Sequence, residues 1–228
     1  MKNKKLLIIA LILLIFIWTI YITNKDFFSL SNLFKNIDSV NNFINANLVL
    51  SFIIYVIAYI FLVICNFPFA SMLSLTGGFL LGTWLGGIGI IIGASIGSFI
   101  VFVIANFFFK DFLERKILFK YPLIVKYFKE NQIELMLLIR LVPGIPFFAQ
   151  NLILAALNAN KYKFITTTFL SLAPWAFVFS SIGQGLDEIF YEGQSLGLKF
   201  IMQPQYVLPI SLIIFLVIII LVFKKKIR

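Results

Sequence analysis

The chain has no histidine at all, and Cys65 is its single cysteine in 228 residues. Without imidazole there is no His-based metal site and no Ser-His-Asp triad. One thiol cannot close an internal disulfide, and it says nothing about the redox compartment. Acids are scarce, nine against nineteen Lys and Arg, and no residue from Ser39 to Phe109 carries a charge. With 12% charged residues, 61% hydrophobic residues and a mean hydropathy of +1.05, the chain cannot cover a soluble globule with water-facing side chains. It reads as one integral membrane domain. A net charge of +10 would suit nucleic acid if the cations lined a soluble face. They stand instead in short clusters beside apolar segments, as topology signals and anchors for anionic head groups. Membrane lipids are therefore the expected partners, and nucleic acid is not. The membrane region holds no paired carboxylates, metal-ligand cluster, P-loop or activated nucleophile, so no enzyme, cofactor or metal is expected. The richness in Ile, Phe, Lys and Asn matches the usage of an AT-rich bacterial genome, and nothing in the composition specifies an oligomeric state.

What the chain does have is a repeated interruption. Pro68 and Phe69 are followed by Gly77 and Gly78; Pro146 and Phe147 are followed by Ala155 and Ala156. In both copies the second small residue lies ten positions after the proline. Proline removes a backbone donor and clashes with the preceding turn. In hydrocarbon the freed carbonyls need partners from the protein or from trapped water. Matched interruptions of this kind point to a transport site between inverted repeats.

Charge arithmetic sets the topology. The apolar stretch 6–22 follows Lys2, Lys4 and Lys5 but lacks a small-residue cleavage site, so it is expected to stay as an uncleaved span. Residues 110–130 hold six basic residues against three acids, which belongs on the cytoplasmic side. That side is reached if residues 48–82 and 132–158 form two re-entrant hairpins entering from opposite faces, with four spans at 6–22, 84–109, 164–185 and 207–223. The expected fold is thus an all-α integral membrane protein of two inverted re-entrant hairpins plus about four transmembrane helices. Both termini are cytoplasmic in the cell membrane, with fifteen of the nineteen basic residues inside. Residues 1–47 form an anchor and external linker, 48–185 the core, and 186–228 an external loop, last span and basic tail. The connector 110–131 shows helical spacing at Leu113, Ile117, Tyr121, Ile124 and Phe128, with Pro122 starting its second half. It is expected to lie in the head-group plane.

Arg140 is the sole cation between Gln132 and Asn160. A charge at the bilayer centre costs about 2.5 to 3.5 kcal/mol even on lenient scales, so it should face protein or a watery cavity. Followed by Pro143, Gly144 and Pro146, it can either tie the carbonyls freed at the tip or hold a phosphate in its planar fork. Glu134 falls about 240 degrees around the helix from Arg140 and so does not share its face. It belongs at the cytoplasmic mouth or in a proton relay. Asn66, Gln150 and Asn151 either satisfy broken backbone or surround Arg140. Pro68, Phe69, Gly77, Gly78, Pro143, Gly144, Pro146 and Phe147 are expected at the hairpin tips. Gly82, Gly86, Gly89, Gly93 and Gly97 form a small-xxx-small packing series. Pro174 is expected to break the span after the second hairpin, as a kink or a gate.

The order Asn66, Phe67, Pro68, Phe69, then Gly77 to Gly82, then Arg140, Leu141, Val142, Pro143, Pro146, Phe147, Asn151 and Pro174 resembles the DedA and SNARE-associated Golgi protein superfamily, the VTT-domain proteins. The likeness covers roughly residues 48–185 and looks most like the Golgi Tvp-type branch. It implies two opposed re-entrant hairpins and a role in moving lipids, polyprenyl-phosphate carriers included; some members are linked to proton coupling. By position, the family's first membrane arginine is Arg140. Where DedA proper often has a second arginine six residues on, this chain has Pro146, and it lacks the acids of the first hairpin. The residues themselves leave a lipid translocase or scramblase, a proton- or ion-coupled carrier of a small solute, and a membrane-assembly scaffold all open.

Overall fold

The computed structural model describes residues 37–67, 70–118, 122–141 and 145–192, with the isolated residues Thr19, Thr23, Val207 and Ser211. Every regular element among them is helical: α1 (Ile37–Ala46), α2 (Leu48–Ile64), α3 (Ala70–Leu118), α4 (Pro122–Glu130), α5 (Gln132–Leu141), α6 (Phe147–Ala156) and α7 (Lys161–Glu192). Ala70–Phe108 and Lys161–Leu186 are long and apolar enough to cross a membrane, and the pair α1 with α2 supplies a third candidate if counted as one span. The expected spans 6–22 and 207–223 lie outside the described residues, apart from isolated positions. The chain divides into two compact units at Ser51. In the first, Ser51 Oγ donates to the Asn47 carbonyl at 2.9 Å, where α1 ends and α2 begins.

In the second unit, α2 ends on a Schellman turn. Phe67 N–H donates back to Leu62 O at 3.1 Å and Asn66 N–H to Val63 O at 3.2 Å. Asn66 sits in the left-handed region at φ 53°, a conformation that asparagine tolerates better than most residues. The chain then returns along α3. Tyr55 Oη donates to Leu73 O at 3.2 Å, and the Tyr59 hydroxyl lies 3.0 Å from Ser74 Oγ, which donates to Ala70 O. Tyr55 also lies against Gly77, beyond the Ser74 that Tyr59 reaches, so the later tyrosine meets the earlier part of this arm and residues 70–81 run antiparallel to α2.

Gly82 corrects the sequence reading. It does not continue a packing stripe within one helix; with φ 76° and ψ 172° it breaks α3 into residues 70–81 and 83–118. That backbone region is almost closed to side chains, and here it reverses the chain so that Gly77 and Gly86 come together. Residues 83–118 then rise about 54 Å at about 1.5 Å per residue. They run alongside α2: a Cβ on Gly89 would lie 2.7 Å from Tyr55, on Gly93 2.7 Å from Tyr59, and on Gly97 2.8 Å from Val63. Partners advancing in step show parallel helices whose backbones touch, as small residues allow.

The second half repeats the plan with shorter arms. α5 and α6 each rise about 15 Å, half of a hydrocarbon core of about 30 Å. α6 ends on another Schellman turn, with Ala159 N–H to Leu154 O at 3.1 Å, Asn158 N–H to Ala155 O at 3.0 Å, and Asn158 at φ 52°. Asn160 then caps α7, its Oδ1 accepting from Tyr162 and Lys163 N–H. Gln132 Oε1 accepts from Asn160 N–H, which joins the start of this hairpin to its end. Pro174 lies inside α7, and the helix continues on both sides of it.

Each hairpin has its own core. Tyr55, Tyr59, Val63, Ile90, Ile91, Ala94 and Ala176 pack at the first. Phe102, Ala105, Phe128, Met136, Leu154 and Phe164 pack at the second. Phe128 is fully buried there. The helix of residues 83–118 absorbs the connector's first half, and α4 docks Val125 and Phe128 into the bundle while Lys126 and Lys129 stay exposed.

Candidate functional site

α5 is a short apolar helix that carries a charge in its last turn, and the protein accommodates it by facing Arg140 inward, 6% exposed. Its Nη2 donates to Asn151 Oδ1 on α6 at 2.9 Å. The guanidinium carbon lies 5.0 Å from the ring centroid of Phe147 and 4.9 Å from that of Phe164. Phe147 packs against the first core and Phe164 belongs to the second, so the cation sits at the seam between the two. Phe164 is held in turn by Phe102, whose ring stacks on it at 4.3 Å.

Magnitudes show how incompletely this charge is matched. One hydrogen bond to a charged group contributes about 1.5 to 3 kcal/mol, and a desolvated aromatic contact about 2 kcal/mol. Against that, Arg140 Nε and Nη1 are buried with no hydrogen-bond partner among the described residues, at about 1 to 3 kcal/mol for each unmet group. Asn151, 1% exposed, has the same deficit at Nδ2, and Gln150, 6% exposed, at Oε1. Among the described residues no acid is paired with the guanidinium. Glu134 is exposed in the first turn of α5, away from Arg140, as its helical angle requires. The result is a buried guanidinium with donors left unmatched beside two buried amides.

The structure brings together Arg140, Gln150, Asn151 and Phe147 of the residues singled out from sequence. Gln150 Nε2 donates to Ile145 O at 2.9 Å, closing the tip, and Gln150 N–H donates to Pro146 O as the first helical bond of α6. Asn66 is elsewhere, exposed, and ends α2. Gly77 and Gly78 are not at a tip: they lie inside the return arm, Gly77 against the Tyr55 ring and Gly78 against the Ser180 backbone. Pro68, Phe69, Pro143 and Gly144 fall outside the described residues.

Sequence reasoning passed over Phe164, and it noted Ser180 and Gln184 only as polar residues on the Pro174 span, naming no partner for them. Gln184 Oε1 accepts from Thr83 N–H at 2.8 Å, and Ser180 Oγ reaches the carbonyls of Thr83 at 2.9 Å and Gly82 at 3.2 Å. The end of α7 thus caps the break at Gly82 from about a hundred residues away. Gly183 meets the Leu75 backbone beside it, and Gly87 faces Phe177. A glutamine and a serine one turn apart on an apolar helix are the only signal, and they do not name their partner.

No solved structure matches the chain. The family model of the VTT domain matches residues 67–185, which takes in the return arm, both long helices and the whole Arg140 hairpin. An all-helical, apolar chain with that match is a membrane protein, and it belongs to the VTT-domain family, the DedA and SNARE-associated group of proteins.

Proposed function

We propose that this protein is a lipid translocase or scramblase whose site is the seam held by Arg140. The observation that carries the reading is a guanidinium 6% exposed, stacked between Phe147 and Phe164, with two nitrogens unpartnered among the described residues. A lipid phosphate supplies the acceptors those donors lack, while acyl chains remain in the bilayer. Family membership supports it, since DedA-type proteins are commonly linked to transport or lipid flipping. The substrate class is phospholipid or polyprenyl phosphate, the partners are membrane lipids, and no covalent chemistry is assigned.

In this reading α5 with α6, and α2 with residues 70–81, are re-entrant hairpins entering from opposite faces of a cell membrane, probed by short arms beside two crossing helices. Both termini and the basic connector are cytoplasmic, in a bacterial cell, and the order of motifs is most like the Golgi Tvp-type branch. Reconstituted flux of labelled phospholipid and labelled polyprenyl phosphate tests the function. Flux that requires a proton gradient would favour the coupled carrier using Glu134. Protein inactive towards every lipid would favour a scaffold.

A further inference from the structure

Two amides in the second hairpin have orientations fixed by their partners. Ile145 O can only accept, so the group of Gln150 that faces it is the NH2, and the atom left over is the acceptor Oε1. Arg140 can only donate, so Asn151 turns its oxygen to it and leaves over the donor Nδ2. Together with Arg140 Nε and Nη1, the hairpin therefore presents open donors and one open acceptor, all on side chains more than nine-tenths buried.

A phosphodiester has acceptors only. It satisfies Arg140 and Asn151 and leaves Gln150 Oε1 unmet. A head group that carries a hydrogen-bond donor on or next to the phosphate satisfies both halves. We infer that Gln150 is a specificity-determining residue, selecting head groups with such a donor (an ammonium N–H, a glycerol hydroxyl or a protonated phosphate oxygen) over quaternary head groups that have none. This rests on the reading of the Arg140 seam as a lipid head-group route. A buried acceptor left unpaired is what lets a site reject an analogue lacking one hydrogen, and the discrimination expected is on the order of tenfold.

The test uses the full chain in phosphatidylcholine vesicles with trace fluorescent probes of identical acyl chains: phosphatidylethanolamine, phosphatidylglycerol, phosphatidic acid and phosphatidylcholine. The ethanolamine and choline probes share phosphate and net charge, so capture by Arg140 alone cannot separate them. Donor-bearing probes should move on the order of tenfold faster than the choline probe, and their ranking identifies which donor the site prefers. Gln150→Met, of similar length without the acceptor, should bring the ratio of ethanolamine to choline flux near one. If Gln150→Met does not yield monodisperse protein, Gln150→Asn, whose amide is drawn back by a methylene, should narrow the ratio. Equal rates for all probes in the parental protein would overturn the role of Gln150 and leave the head-group route standing, as would full selectivity retained in a folded Gln150 variant. If no probe moved in the parental protein, the head-group reading would fail and the selector with it.

Discussion

Arg140 and Asn151 join the two arms of the second hairpin through one 2.9 Å hydrogen bond from Nη2 to Oδ1. That bond makes α5 and α6 a unit and sets the direction in which the remaining donors point. In the proposed role it also separates two properties that are usually confounded, hairpin stability and anion affinity, because Nη2 is held by Asn151 while Nε and Nη1 are left for the anion.

Asn151→Asp should separate them in practice. The carboxylate keeps an acceptor for Nη2 and adds a charge partner, so thermal unfolding in detergent should show a midpoint no lower than the parental one. Lipid flux should fall by on the order of tenfold or more, because the guanidinium charge is neutralised in place. Unchanged flux at unchanged stability would mean that the free donors of Arg140 are not the anion site.

The reversal at Gly82 gives a stability test. Because φ 76° with ψ 172° is a conformation nearly confined to glycine, Gly82→Ala should destabilise the fold by about 1 to 3 kcal/mol. The lowered midpoint should be seen in detergent unfolding, with helical content by circular dichroism retained.

Gly93 tests the parallel contact of α2 with the long helix. A Cβ there would stand 2.7 Å from Tyr59 Cβ, and the obstacle is the root of a side chain, which cannot swing away. Gly93→Leu should push the helices apart and lower stability by about 1 to 3 kcal/mol, the usual cost of overpacking. Gly93→Ala should do so less, and melting curves should rank the two.

Much of this was legible in the sequence because it is local. The absence of charge and the matched prolines identify apolar helices interrupted at corresponding places, and Arg140 stands out as a lone cation. The glycines at positions 89, 93 and 97 keep a four-residue spacing that reads directly as a packing face. Gly82 was misread because it stands four residues before Gly86 and seven before Gly89, on the same helical face, and nothing in a one-dimensional pattern separates a glycine that packs from one that reverses the chain. The capping role of Gln184 and Ser180 stayed hidden for another reason: their partner at Gly82 and Thr83 is far away in sequence, and a cap supplied from such a distance leaves no local signature. Phe164 is one aromatic among 28 phenylalanines, and only the fold reveals that its ring faces the guanidinium. Phe128 was read on the right helical face, but whether that face meets lipid or the bundle depends on tertiary packing.

The topology carries its own prediction. Cys65 is buried and can be replaced by serine to give a thiol-free parent. Single cysteines at positions 116 and 188 should then react with membrane-impermeant maleimide from opposite sides, Lys116→Cys from the cytoplasm and Glu188→Cys from outside. Reaction of position 116 only from outside would contradict the two opposed hairpins.

The most direct measurement is lipid flux through purified Arg140 variants in vesicles of equal protein content. Lysine keeps the charge but loses the planar fork and the stacking between Phe147 and Phe164, so Arg140→Lys should lower flux by on the order of tenfold, and Arg140→Ala should abolish it. Well-folded Arg140→Ala moving lipid at the parental rate would contradict the account, because neither the seam nor its open donors would then lie on the path of the head group.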